Sequence, residues 1–126
     1  MRLGVRFPPS LPPEAWHTGL KELADGAEIV PVGHATAAYR DQKNSPLTRA
    51  FLSAIRATGG NPTFVFKSGT ADLNVVGPRW NCPAVGYGPG DSGLDHTPDE
   101  HISLRGFTDS IRIMEQVLLT LRRRAA

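Results

Sequence analysis

The chain has 126 residues, of which 40% are hydrophobic and 21% are charged, a balance typical of a folded domain rather than a disordered segment. Its formal net charge of +2 gives no indication of a nucleic-acid or membrane partner. A single cysteine, Cys82, excludes a disulfide within the chain and is compatible with a reducing cytosol. The first residues lack the apolar core of a signal peptide, and no apolar run has the length of a membrane span, so a cytoplasmic location is expected.

Residues 3–32 are predicted to form a strand, a helix and a second strand. Leu3–Phe7 is a short alternating run that ends at a proline pair. A second proline pair at positions 12–13 opens the helix, because proline is tolerated in a first helical turn. The apolar stripe of this helix consists of Trp16, Leu20, Leu23 and Ala24. Gly26 ends the helix, and residues 27–32 are the second strand candidate.

The polar residues 33–45 have no clear period and are interpreted as a linker or a domain crossing. Ser45 is the predicted N-cap of the next helix, and Pro46 is its first residue. The apolar residues of this helix are Leu47, Ala50, Phe51, Ala54 and Ile55. A glycine pair at 59–60 ends it.

Two apolar strand candidates, at residues 62–67 and 83–87, are each followed by a polar, glycine-rich loop. The first loop covers residues 67–74, and the second runs from residue 87 to residue 101. Sites in open α/β sheets form beyond the carboxyl ends of strands, and glycine lets backbone N–H groups approach an anion. The two loops are therefore predicted to converge on one side of the sheet and to form the site.

Ser103 is predicted to cap a long last helix that ends in three arginines, which are favourable at a helix C-terminus. The predicted buried face of this helix consists of Leu104, Phe107, Ile111, Met114, Val117, Leu118 and Leu121. Because strands and helices alternate along the chain, the predicted fold class is α/β with some parallel pairing. The first third and the last two thirds are expected to form separate packing units.

Histidines and acidic residues cluster in the second loop: Asp95, His96, Asp99, Glu100 and His101. Histidine is the commonest nitrogen ligand for zinc, and nearby carboxylates often orient it. A cluster of this kind in a surface loop is also often only a solvated turn. Spacing alone leaves both interpretations open.

Three motifs in order give a specific family resemblance: Gly69-Thr70-Ala71-Asp72, Tyr87-Gly88-Pro89-Gly90 and His96-Thr97-Pro98-Asp99-Glu100. Together they resemble the closing segment of the zinc amidohydrolases, a family that includes aminoacylase, acetylornithine deacetylase and succinyl-diaminopimelate desuccinylase. The runs GTADLNVV and GPGDSGLDHTPDEH are similar to the branch that releases lysine or ornithine from an amino-group carrier protein. Residues 3–32 resemble the second half of the lid and dimerisation domain that is inserted in such enzymes.

The resemblance implies that residues 1–40 are half of that lid domain and that residues 41–126 are the C-terminal part of a catalytic domain with a zinc-peptidase-like α/β fold. It implies two zinc ions in the intact enzyme, for which cobalt can substitute, with His96 as a ligand of one. Glu100 would hold the second nitrogen of His96 or neighbouring backbone N–H groups, or would act only as an acid near the start of the last helix. The intact enzyme would be a homodimer whose substrate is an N-acyl amino acid or the amino-group carrier protein.

The resemblance also assigns residues to substrate binding. Gly69 and Thr70 would offer a backbone N–H and a hydroxyl to a substrate carboxylate, although a tight turn would explain the same residues. Arg6 would pair with that carboxylate, unless it is an arginine on the surface of an edge strand. Asp72 and Asn74 would hold the loop in shape.

The earlier part of the family's sequence, with its His-x-Asp zinc motif and acidic catalytic pair, has no counterpart here. His17, His34, His96 and His101 are followed two residues later by Gly, Thr, Pro and Ser. The general base is absent, so the chain is expected to be a truncated enzyme that is inactive in isolation. The alternative is a folded or dimerising module without metal. A nucleic-acid binder has little support, since basic residues cluster only at Arg122–Arg124.

Overall fold

The structure, a computed structural model, describes residues 1–67 and 69–125. This part of the chain contains four helices: α1 Pro13–Leu23, α2 Pro46–Ala57, α3 Asp72–Trp80 and α4 Leu104–Ala125. None of the helices described is long and apolar enough to cross a membrane. The chain divides into two compact units, the first comprising Met1–Asp41 and Phe66–Cys82 and the second comprising Gln42–Val65 and Pro83–Ala126.

Helix α1 begins where the second proline pair predicts it. Pro12 is extended and Pro13, at the first helical position, is buried. The Trp16 ring contacts the Phe7 ring edge-on, with centroids 5.8 Å apart. Leu23 does not belong to the packed face, because it is the last residue of the helix and its side chain is 83% exposed. The predicted apolar stripe is therefore wrong at its C-terminal end.

Helix α2 confirms the predicted N-cap. The Thr48 backbone N–H donates to the buried Ser45 hydroxyl oxygen at 3.1 Å, which satisfies one of the donors that a helix start leaves unpaired. Pro46 occupies the first turn, where its missing N–H is not needed. Gly59, with a φ of 82°, follows the C-cap Thr58 and lets the chain turn away.

Removing this cap should have a measurable effect on stability. We expect Ser45→Ala to lower the free energy of unfolding by about 1 kcal/mol, because the Thr48 N–H loses its acceptor. Ser53→Ala, at an exposed position of the same helix, is the matched control and should leave stability unchanged or slightly raised. Urea unfolding followed by circular dichroism measures both variants. Equal midpoints for Ser45→Ala and the parent chain would exclude the cap as a stabilising contact.

The prediction of a loop over residues 67–74 is wrong at its C-terminal end, because the chain is helical from Asp72 onward. The adjacent Gly77 and Pro78 are typical of a turn and hid the helix in the sequence. Asp72 lies in the first turn, where an acidic side chain is favourable. Asn81, left-handed at φ 47° and ψ 42°, ends the helix. Ser68, which also belongs to the predicted loop, lies outside the described residues.

The core of the second unit lies between α2 and α4. It consists of Ala50, Phe51, Ala54, Ile113 and Val117. Leu47, Ile55, Val85, Tyr87 and Leu121 pack around it. Burying apolar side chains of this kind is the main favourable contribution to the stability of a small unit.

The predicted buried face of α4 is correct at Val117 and wrong for most of its members. Leu104, Phe107, Ile111, Met114 and Leu118 are exposed. The buried positions are instead Ser110, Ile113 and Val117, which recur at helical spacing. Ser110 is tolerated there because its hydroxyl donates to the Phe107 carbonyl oxygen at 2.7 Å. Because the buried face begins with the polar Ser110, the apolar pattern of the sequence predicted the wrong face of α4.

None of the four predicted strands is found among the described residues, so the structure does not confirm the α/β class. A strand exists only through hydrogen bonds to a neighbouring strand, and an apolar run in the sequence cannot supply that neighbour. Val30, Val32, Val65 and Phe66 remain exposed in these segments.

The predicted domain boundary between residues 40 and 41 stays a prediction. The first compact unit includes residues 66–82, which that prediction assigned to the second domain.

Tyr87 packs in the second unit and gives it a predictable dependence on pH. Its ring centroid lies 5.0 Å from that of Phe51. Burial raises the pKa of Tyr87 above 10.0, and the negative charge of Asp109 raises it further. The folded state therefore holds the phenolic proton more tightly than the unfolded state. The resulting stability is fully present below pH 10 and is lost as the pH rises through the folded pKa.

We expect the urea midpoint of the parent chain to fall between about pH 8 and about pH 11. Tyr87→Phe, which removes the titrating group, should show a smaller fall. Other groups titrate equally in both proteins, so the difference between the two falls isolates Tyr87. An identical fall in both proteins would mean that Tyr87 has the same pKa folded and unfolded.

Candidate functional site

The segment that carries His96 is a series of hydrogen-bonded turns. The Leu94 N–H donates to the Asp91 carbonyl at 3.0 Å, the Thr97 N–H to the Leu94 carbonyl at 3.1 Å, and the Glu100 N–H to the Thr97 carbonyl at 3.1 Å. The Thr97 hydroxyl also donates to the Leu94 carbonyl, at 2.7 Å. The loop has a defined backbone because each turn is closed by its own bond.

His96 adopts a left-handed backbone with a φ of 64°, which is uncommon for a residue with a side chain. Its backbone N–H donates to the Glu100 Oε2 atom at 3.0 Å. Of the contacts that the sequence allowed for Glu100, the structure thus shows the one with a backbone N–H. The Glu100 carboxylate closes the turn around His96 and so fixes the direction from which its exposed side chain leaves the backbone.

The second histidine of the loop has a different environment. His101 Nδ1 lies 2.6 Å from the Asp99 carbonyl oxygen, within hydrogen-bonding distance. This contact uses one ring nitrogen of His101. His96 and His101 therefore form a natural pair for comparison, since both are exposed and lie five positions apart.

Gly69 and Thr70 lie in the first unit, immediately before α3, and both are exposed. The next residue, Ala71, donates its N–H to the Asn74 Oδ1 atom at 3.0 Å, and the Asn74 N–H donates to the Ala71 carbonyl at 2.9 Å. The bond to the Asn74 side chain is half of a capping box, in which the side chain of the third helical residue accepts the N-cap N–H. Asp72 adds its charge in the first turn of the helix.

Asn74 makes a second contact that the sequence did not indicate. Its Nδ2 donates to the Ala37 carbonyl at 3.0 Å, across 37 positions of the chain. The neighbouring Tyr39 ring lies against Gly77 of α3, where an added Cβ would come within 2.4 Å of the ring. Burial raises the pKa of Tyr39, and the charges of Asp41 and Cys82 raise it further.

Arg40, the next residue after Tyr39, contacts Phe66, which precedes Gly69 and Thr70 in the sequence. Its guanidinium lies 4.9 Å from the centroid of the Phe66 ring, a distance typical of a cation–π contact. Residues 37–40 thus contact the chain both before and after Gly69 and Thr70. The sequence indicated only a linker or domain crossing here and none of these contacts, because the polar residues have no period and their partners are distant along the chain.

A metal site is not formed by the described residues alone. They contain no group of three or more histidine, cysteine or acidic side chains close enough to hold an ion. Zinc is typically held by three or four protein ligands, whereas the family resemblance assigns only His96 to that role here. The residues that the structure describes do not by themselves form a complete zinc site.

The remaining predicted site residues lie in separate parts of the chain. Arg6 is exposed and belongs to the first unit, as does Thr70. His96 belongs to the second unit. The convergence of Thr70 and His96 on one site stays a prediction.

Comparison with known proteins places these motifs in a family. Residues 7–120 match the model of peptidase family M20/M25/M40. The chain is 40% identical over 121 residues to a LysW-lysine hydrolase of Deinococcus radiodurans. It is 42% and 44% identical to proteins from Pyrococcus furiosus and Pyrococcus horikoshii that are named putative LysW-lysine/LysW-ornithine hydrolases.

These alignments cover 94–97% of the chain but only 33–34% of each relative. The chain thus spans about a third of the length of the relatives that it matches. The family matches the one that the three motifs indicated, and the names of the relatives match the carrier-protein branch. The chain belongs to peptidase family M20/M25/M40.

Proposed function

We propose that this chain acts as the C-terminal part of an amidohydrolase that releases lysine or ornithine from an amino-group carrier protein. The observation that carries the proposal is 40–44% identity over at least 94% of the chain to three proteins named for this reaction. In amide hydrolysis, water adds to the carbonyl carbon, the carbon–nitrogen bond breaks, and the amine leaves with a proton. The general base for this reaction would come from residues outside the chain.

The roles proposed for this chain are to bind substrate and to provide one metal ligand. Gly69 and Thr70 are exposed beside the positive end of α3, a location suited to a carboxylate such as that of lysine. Arg6 would pair with the same carboxylate. His96 would complete a zinc site whose other ligands lie outside the chain, and Glu100 supports this role by fixing the backbone of His96.

The wider architecture belongs to the same proposal and depends on the family resemblance alone. It comprises a zinc-peptidase-like α/β catalytic domain, half of a lid domain at residues 1–40, a homodimeric intact enzyme and a cytoplasmic location. Two zinc ions per intact enzyme, replaceable by cobalt, are part of it.

A chimera tests the proposed function. The third of the Deinococcus radiodurans relative that aligns with this chain is replaced by it, with the junction at the first aligned residue. Purified chimera is then incubated with LysW-linked lysine, and free lysine is measured. The controls are the relative cut at the same position and the chain alone, neither of which should release lysine. A chimera that is folded by circular dichroism yet no more active than the cut relative would contradict the proposal.

A second candidate is a non-catalytic module that associates without metal. It is favoured by the exposed apolar residues of α4. Two measurements together distinguish the candidates: the oligomeric state of the chain by analytical ultracentrifugation, with and without zinc, and the activity of the chimera. A stable metal-independent dimer together with an inactive chimera would favour the module.

A further inference from the structure

Residues 37–40 contact both flanks of the proposed carboxylate-binding residues Gly69 and Thr70. On the C-terminal flank, the Asn74 side chain accepts the Ala71 N–H and donates to the Ala37 carbonyl, each at 3.0 Å. On the N-terminal flank, the Arg40 guanidinium lies over the Phe66 ring. All of these residues belong to the first compact unit.

The contacts with α3 are close enough to fix this segment along the helix. Asn74 and Gly77 lie three positions apart and therefore share a face of α3. Gly77 is the residue that allows the Tyr39 ring to lie on the backbone, because any Cβ there would overlap three ring atoms at 2.4–2.8 Å. Gly77 is buried and Tyr39 is half-buried.

We infer that residues 37–40 form a brace that sets the position of Gly69 and Thr70, with Asn74 and Arg40 as positioning residues for substrate binding. This inference rests on the proposed function of Gly69 and Thr70 as the carboxylate site. Asn74 connects the brace to the proposed site. It lies in the first turn of α3, accepts the N–H of Ala71 directly after Thr70, and donates to Ala37 of the brace. Asparagine suits this position, since its amide offers both the acceptor for Ala71 and the donor for Ala37.

The two functions of Asn74 can be separated by one substitution. Asn74→Asp keeps an oxygen to accept the Ala71 N–H but replaces the donor to Ala37 with a second oxygen. The helix cap survives, and the link to the brace is lost. Val75→Ala, at the next and exposed position of α3, is the matched control. Arg40→Met removes the cation from Phe66 on the opposite flank.

The first readout is the kinetics of the chimera described above. We expect Asn74→Asp to raise KM about fivefold, the loss typical of one hydrogen bond, and Arg40→Met to raise it about two- to fivefold. The value of kcat should change less than KM, since the brace acts on binding of the non-reacting carboxylate. Val75→Ala should keep the parent KM. A purely structural role for Asn74 would lower the melting temperature and leave KM unchanged.

The second readout does not depend on activity. In the ¹H–¹⁵N correlation spectrum of the full 126-residue chain, Asn74→Asp should shift the amide peaks of Gly69 and Thr70, and Val75→Ala should not. If the parent chimera is inactive, the proposed function has failed, and this spectrum still decides whether Asn74 positions Gly69 and Thr70. Parent-like KM, or unshifted Gly69 and Thr70 peaks, in Asn74→Asp would overturn the brace.

Discussion

Ile113→Ala is expected to lower the free energy of unfolding by about 2 to 5 kcal/mol, enough to unfold most of a small unit at room temperature. The side chain is only 5% exposed and packs with Phe51, Ala54 and Val117 in the core between α2 and α4. Truncation removes buried methyl and methylene groups and leaves a cavity that the two helices cannot easily fill. Loss of the cooperative urea transition is the expected measurement.

The matched control for this prediction is Ile111→Ala, two positions earlier on the same helix. Ile111 is 54% exposed, so its truncation should change the free energy of unfolding by no more than about 0.5 kcal/mol. The comparison also tests the orientation of α4, because the sequence placed Ile111 on the buried face and the structure places Ile113 there. A larger loss of stability for Ile111→Ala than for Ile113→Ala would show that the helix is turned the other way.

His96→Ala is expected to lower the kcat/KM of the chimera by more than about a hundredfold. Residues that merely orient a metal ligand contribute about 10- to 100-fold, so removal of a ligand itself should exceed that range. His101→Ala, in the same loop, should stay close to the parent value, because the His101 ring lies against the Asp99 carbonyl and the family resemblance assigns the ligand role to His96.

Metal content separates a ligand role from a folding defect. Measured by plasma mass spectrometry, His96→Ala should hold less zinc than the parent chimera, whereas His101→Ala should hold the same amount. Circular dichroism should show equal helix content in all three proteins. Parent-like zinc content and activity in His96→Ala would remove His96 from the proposed site.

Local sequence patterns predicted a helix correctly where a recognisable N-terminal residue pattern preceded an apolar stripe. Prolines at the first turn of α1 and the Ser45 cap of α2 fixed both starts. Helix α3 was missed because adjacent Gly77 and Pro78 are typical of turns, whereas the structure tolerates them in a short helix that ends at Asn81. Residues typical of a turn therefore lie inside a helix, and the contact of the distant Tyr39 ring with Gly77 favours the helix.

Features that depend on distant partners could not be predicted from local patterns. The buried face of α4 depends on how α2 meets it, and a buried Ser110 broke the apolar period that would have revealed it. The apolar runs at 62–67 and 83–87 predicted strands, but a strand requires a neighbour that the described residues do not provide.

The candidate site shows the same division. The motifs around Thr70 and His96 were visible in the sequence because they are contiguous. The Asn74–Ala37 hydrogen bond was not, since it joins residues 37 positions apart. The contact between Glu100 and the His96 N–H was one of several that the spacing allowed, and the structure selects it.

The rate of lysine release by the chimera shows whether this chain supplies a working C-terminal part to a carrier-protein hydrolase, as proposed. Both sequences belong to one family and are 40% identical over 121 residues, so the junctions should be compatible. We expect kcat/KM for LysW-linked lysine within about a hundredfold of the parent relative, a loss of less than about 3 kcal/mol in transition-state stabilisation. A folded chimera that binds zinc but releases no lysine above the cut relative would contradict the claim.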